Sequence, residues 1–218
     1  MSTCSDYGAA TWNQRFAVDD YVFGRDPNEY LRTQAGRIRA GGRVLCVADG
    51  EGRNSVWLAG QGLQVEAFDI SEVGVAKARK LALDAKVTVE FHIAGCDDWT
   101  WRPEVYDAVV AVFVQFADPA MRARMFSNML GTLAPGGILI LQGYTPRQLE
   151  YKTGGPSQRS HLYTAELLRQ AFASLEMVDL VEYEAELHEG ARHTGRSALV
   201  GCVARKPAAA QGFDAPTR

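Results

Sequence analysis

The sequence predicts an α/β chain: a doubly wound, seven-stranded, mostly parallel sheet that ends in an antiparallel β-hairpin. Three observations carry this. Residues 44–47 form a short apolar run that breaks at Asp49-Gly50-Glu51-Gly52; residues 53–59 then place apolar side chains at helical spacing, and residues 65–69 make a second apolar strand. Residues 106–116 are almost continuously apolar, as in a strand buried on both faces, and lead into a helix, an Ala134-Pro135-Gly136-Gly137 break and a strand over 138–141. Residues 176–186 and 196–204 read as two closing strands about nine residues apart, which suits an antiparallel hairpin.

The first of these units is a nucleoside-binding βαβ half. Gly50 and Gly52 let the backbone approach a ligand closely, and the helix opening behind them offers unpaired N–H groups. Asp69 stands 17 residues past Gly52, at the end of the second strand, where a carboxylate takes both hydroxyls of a ribose. In the dinucleotide fingerprint G-x-G-x-x-G the third glycine lets the helix pack tightly on the strand. Here Ala48 holds the first position and Arg53 the third, and a side chain that long argues against a dinucleotide.

The remaining elements follow in chain order. The segment over 11–27 is irregular and aromatic, and a helix is predicted over 29–38. Trp12, Phe16, Tyr21 and Phe23 are too many rings for a solvated tail, so this segment covers something. Ser71 caps a helix reaching about residue 84, residues 87–93 alternate as a half-buried strand, and Gly95-Cys96-Asp97-Asp98-Trp99 forms the loop at its end. Asp118-Pro119 supplies an N-cap and a proline at the first helical position. Residues 143–163 show no periodicity and predict a lid or binding loop, with Tyr144, Arg147, Tyr151, Lys152 and His161 as candidate substrate contacts. Thr164 caps a helix to about residue 174.

Composition bounds the partners. A length of 218 residues suits one domain over 1–205, with 1–40 as an N-terminal cap and 206–218 as a Pro- and Ala-rich disordered tail. A net charge of −3 gives no electrostatic case for nucleic acid or an anionic membrane, which leaves a small-molecule partner and a monomer or homodimer. Four scattered cysteines without a C-x-x-C pair, no stretch long enough to span a membrane and no signal peptide predict a reducing, cytoplasmic location.

The stretch around Gly50 and Gly52, with Asp69, resembles motif I of the class I S-adenosylmethionine-dependent methyltransferases, a Rossmann-like family. The N-terminal W-x-x-R-F and Y-V-F-G-x-x-P patterns, and the connection ELHEGARHTGR, resemble the tellurite-resistance and thiopurine-type members. The resemblance implies S-adenosyl-L-methionine as cofactor, with Arg15, Tyr21 and Gly24 closing over its methionine part. It places Ala48, Asp49, Gly50 and Glu51 at the motif I turn, and Asp69 and Ile70 at the ribose. Asp49 stands in for a carboxylate the family usually carries where this chain has Cys46. The adenine falls to the backbone of Cys96 and the carboxylate of Asp97, because Gly95 occupies the usual Asp position, and the stretch Ala111, Val112 and Phe113 flanks the sulfonium. Phe23, Gln115 and Tyr151 face the substrate.

By the same resemblance His188 and Arg196 serve the reaction, while Glu189 replaces a second Arg of that family. The implied chemistry is in-line methyl transfer to a small soft nucleophile: a thiol, or a selenium or tellurium species. His188 would handle a proton and Arg196 an anionic substrate. Two alternatives stay open: a nicotinamide-dependent oxidoreductase, and a noncatalytic protein that binds S-adenosylmethionine.

Overall fold

The computed structural model describes residues 8–208. The predicted tail beyond 208, and Cys4, lie outside the described residues. One seven-stranded sheet runs in the order β3-β2-β1-β4-β5-β7-β6. Its strands are β1 (Arg43–Val47), β2 (Gln64–Asp69), β3 (Val89–Ile93), β4 (Tyr106–Val112), β5 (Leu133–Tyr144), β6 (Glu176–Glu189) and β7 (His193–Arg205). β1 pairs in parallel with β2 and β4, and so do β2 with β3 and β4 with β5. β7 is antiparallel to both β5 and β6. The order reverses at β1, which opens a crevice at the carboxyl ends of β1 and β4.

The helices are α1 (Ala9–Phe16), α2 (Glu29–Gln34), α3 (Arg53–Gly60), α4 (Glu72–Ala85), α5 (Pro119–Thr132), α6 (Gln148–Tyr151) and α7 (Ala165–Ala171). Three predicted caps form: the side chains of Ser71, Asp118 and Thr164 accept from the backbone N–H groups of Gly74, Met121 and Leu167. The two sheet faces bury separate clusters. Leu45, Val109, Met129 and Leu141 pack on one side, and Val44, Leu58, Val110 and Ile140 on the other, as the two-residue period of each strand requires.

Five regions depart from the sequence expectation. β4 stops at Val112 because Phe113 turns into the left-handed region at φ 56°. β5 starts at Leu133, since Tyr106 pairs with Leu133 across a bulge that absorbs the Pro-Gly-Gly stretch. The aromatic N-terminal segment begins as helix α1, and the loop over 143–163 contains α6 and a 3₁₀ turn at Arg159–His161. The closing strands run on until only residues 190–192 separate them.

Candidate active site

A cavity of about 530 Å³ lies over the carboxyl ends of β1, β2 and β4, roofed by α1 and the segment leading to α2. The chain enters it through the turn after β1. Ala48 takes φ 48°, and Gly50 and Gly52 take φ 63° and 89°. A Cβ at Gly52 would stand 2.6 Å from Cβ of Ala78, so glycine there lets α3 and α4 meet. The turn is tied to Asp69, whose carboxylate accepts from the backbone N–H groups of Gly50 at 2.9 Å and Ser71 at 2.8 Å.

The wall here is acidic. Asp49 accepts a short hydrogen bond from the Ser55 hydroxyl, and burial raises its carboxyl to about 7 against that bond. Burial likewise lifts Asp69 to about 6. Among the described residues neither carboxylate forms an ion pair, although the charge of Arg53 acts on Asp49 from a distance; a ligand ammonium would supply a direct partner. Glu51 is spoken for by Lys77 at 2.5 Å, an ion pair that pins α4 to the turn.

The loop after β3 forms the far wall. The Cys96 carbonyl accepts from Trp101 Nε1 at 2.9 Å, which fixes the backbone, and burial pushes its thiol up to about 12, so it stays protonated. Asp97 borders the cavity, but its carboxylate is paired with Arg124 at 3.0 and 2.8 Å; Asp98 lines the same wall. His161 closes this side, with Nδ1 3.0 Å from the Gln115 carbonyl. A carbonyl only accepts, so that nitrogen carries the proton.

The structure brings together Phe23, Gly24, Ala48, Asp49, Gly50, Glu51, Asp69, Ile70, Cys96, Asp97 and Val112 as cavity walls. Five predicted site residues stand elsewhere. Tyr21 packs with Val56 and Leu81, and its hydroxyl donates to the Lys77 carbonyl. Arg15 stacks over Trp12, itself a wall residue, at 4.4 Å. Ala111 points into the core because the strand period sends Val110 and Val112 to the cavity instead. Gln115 is a brace: its amide accepts from Tyr144 N and donates to the carbonyls of Tyr144 and His161. Tyr151 sits on the surface between Arg147 and Arg196.

The two proposed catalytic residues also fall outside the walls, and strand parity is the reason. Along β6 and β7 the inward side chains are Leu187, Glu189, His193 and Ser197, whereas His188, Thr194 and Arg196 face solvent. Arg196 pairs with Glu184 at 2.6 Å. The histidine that reaches the cavity is His193.

Arg53 and Phe116 are among the wall residues to which the sequence assigned no site role, and Phe113 reaches the wall by an unexpected route. Arg53 served there only to argue against a dinucleotide, yet it is buried and pairs with Glu189 at 2.7 Å. Phe113 owes its place to the unforeseen turn after β4, and Phe116 follows on the same loop.

Residues 44–137 match the family profile described as a methyltransferase domain. Thiocyanate methyltransferase 1 of Arabidopsis thaliana is 32% identical over 127 residues, 57% of this chain and 55% of that protein. The chain thus spans about half the length of that curated relative. Among solved structures, one concerned with conversion of a disulfide bond into a thioacetal group during echinomycin biosynthesis superposes with a TM-score of 0.75 at 16% identity, covering 94% of this chain and 93% of the other. The N-methyltransferase NodS of Bradyrhizobium japonicum, in complex with S-adenosyl-l-homocysteine, superposes at 0.69 and 16% identity over 91% and 98%. The matched stretch is that of a methyltransferase domain, and the fold is the one seen in S-adenosylmethionine-dependent methyltransferases.

Proposed function

We propose that the protein is an S-adenosylmethionine-dependent methyltransferase acting on a small soft nucleophile. The observation that carries this is the pair of carboxyl groups without an ion-pair partner among the described residues, Asp49 and Asp69, around a glycine turn at the carboxyl ends of β1 and β2. That donor set fits a ligand bearing an ammonium and a ribose. Asp49 would hold the ammonium and Asp69 the ribose hydroxyls. The Cys96 backbone would meet the adenine edge, with Asp98 as the nearby carboxylate, since Arg124 occupies Asp97. When bound, the cofactor supplies a methyl already activated by its sulfonium.

The protein has then to align an acceptor with that methyl and exclude water. Trp12, Phe16 and Phe23 cover the crevice for the second purpose. A soft acceptor agrees with the relation to a thiocyanate methyltransferase. We read the chain as acting on small molecules in the cytoplasm.

The test is a calorimetric titration with S-adenosylhomocysteine beside NADH, repeated on Asp69→Ala. The expected result is micromolar binding of S-adenosylhomocysteine, weakened about tenfold to a hundredfold by the substitution, as for loss of a charged hydrogen-bond acceptor. Binding of NADH alone would return the chain to the oxidoreductase alternative.

A further inference from the structure

The cavity has a second end that the nucleoside residues leave unused. It is assembled from four separate segments: Phe23 before α2, Arg53 at the start of α3, Phe113 after β4 and His193 at the start of β7. The His193 ring lies 4.6 Å from Phe23 and 4.3 Å from Phe113, and Phe113 stacks on Tyr144 at 4.7 Å. The left-handed backbone at Phe113 is the strained turn that delivers this ring.

Arg53 is in a costly place. A cation at the first residue of a helix opposes the positive end of the dipole, and this one is only 6% exposed. Glu189 takes Nη2, but Nη1 is buried with no partner, and so is Nδ1 of His193. Unpaired buried donors of this kind ask for an occupant.

We propose that this end of the cavity is the acceptor subsite, where Arg53 and His193 select a small polarisable monoanion that is methylated without proton transfer. The proposal rests on the methyltransferase reading above. Arg53 supplies the counter-charge through its unused Nη1 face, and the rings of Phe23 and Phe113 exclude water and strongly hydrated anions. Burial first, then the charges of Arg53 and Arg15, push the His193 imidazole down to about 3. The imidazole is therefore neutral at pH 7 and too weak a base to deprotonate a thiol. Burial also raises the Tyr144 phenol, so it stays protonated.

Neither His193 nor Tyr144 takes a proton at this end, so the nucleophile arrives deprotonated. Its lone pair forms the new bond to the methyl carbon as the carbon–sulfur bond breaks, the bonding pair going to sulfur. Cation and anion become two neutral products, and no proton is released.

The experiment titrates thiocyanate and iodide into the full chain saturated with S-adenosylhomocysteine, for the parent protein, Arg53→Lys and His193→Leu. Saturable anion binding is expected, weakened about tenfold or more in each variant. S-adenosylhomocysteine affinity, measured on the same samples, should stay within about threefold, which shows that each variant is folded. In parallel, labelled-methyl transfer to thiocyanate and iodide is compared with transfer to neutral dimethyl sulfide in weak buffer. Transfer to the anions with no acidification supports the proposal. Equal anion affinity in Arg53→Lys, or transfer to dimethyl sulfide and not to the anions, overturns it while leaving the methyltransferase intact. Failure to bind S-adenosylhomocysteine at all sinks the underlying reading instead.

Discussion

The two ends of the cavity are built in opposite ways. At the cofactor end the groups come from three short contiguous stretches, residues 47–51, 68–71 and 94–98, the first two held by backbone hydrogen bonds from Gly50 and Ser71 to one carboxylate. At the acceptor end four segments spread over residues 23–193 meet through side chains: an ion pair, three ring contacts and the close approach of two glycines. The first is acidic and fits a cationic, polyhydroxylated ligand; the second is basic and aromatic. One end can therefore be disturbed with the other left standing.

The junction of Gly24 with Gly190 offers the largest such disturbance. Gly190 has φ 72°, and a Cβ there would stand 2.5 Å from Gly24 N and closer still to the Val22 carbonyl. That carbonyl also accepts from Ala191 N at 3.0 Å, which clips the hairpin tip to the N-terminal segment. Gly190→Ala is expected to push the tip away and carry His193 and Glu189 with it. Methyl transfer should fall by about tenfold or more, for a positional error of about an ångström. S-adenosylhomocysteine affinity should change less than about threefold, and a parallel loss of both would show that the ends are not separable.

That difference also explains what could be read in the sequence. The fold, the motif I turn and Asp69 were legible because strand, turn and helix signals are local and the carboxylate falls at a fixed spacing. The family resemblance then placed most of the cofactor wall. The acceptor end was not legible in this way. Its residues are far apart in the chain, and the hairpin was placed by motif rather than by parity. A shift of one residue in a strand moves a side chain to the other face, so His188 and Arg196 were favoured over His193. Phe113 was expected beside the sulfonium with Ala111 and Val112, but its turn was not: residues 106–116 read as one strand, and nothing in an apolar run marks where a left-handed turn ends it. Ala111 lies off the cavity wall because the strand shows the cavity only its even-numbered neighbours.

A smaller effect, opposite in sign for binding and stability, is expected at Asp49. Its carboxyl is raised to about 7 from 3.8, chiefly by burial. A raised folded-state value means that Asp49 favours the fold below about pH 4 and that this contribution is lost as pH rises through about 7. Asp49→Asn removes the buried charge. At pH 8 the variant without ligand should melt a few degrees higher than the parent, on the order of 1 kcal/mol, and the gap should close toward pH 4. The same substitution deletes the partner for a ligand ammonium, so S-adenosylhomocysteine should bind about tenfold more weakly at pH 8. Parent affinity should rise with pH up to about 7 and then level, and a flat profile would remove Asp49 from the ammonium site.

The least effect is expected from the outward face of the hairpin, and it sharpens the assignment of the inward one. Arg196 is 63% exposed at its side chain and Glu184 27%, so solvent screens their ion pair and it contributes little to stability. His188 shares that face and does not border the cavity. Arg196→Ala and His188→Ala should each leave methyl transfer within about twofold of the parent, the ordinary range for surface substitutions. His193→Leu, five residues along from His188 and facing inward, should not. A tenfold loss of transfer in Arg196→Ala, with stability and S-adenosylhomocysteine binding unchanged, would mean that β7 turns its other face to the acceptor, which puts Arg196 in the place assigned to Arg53.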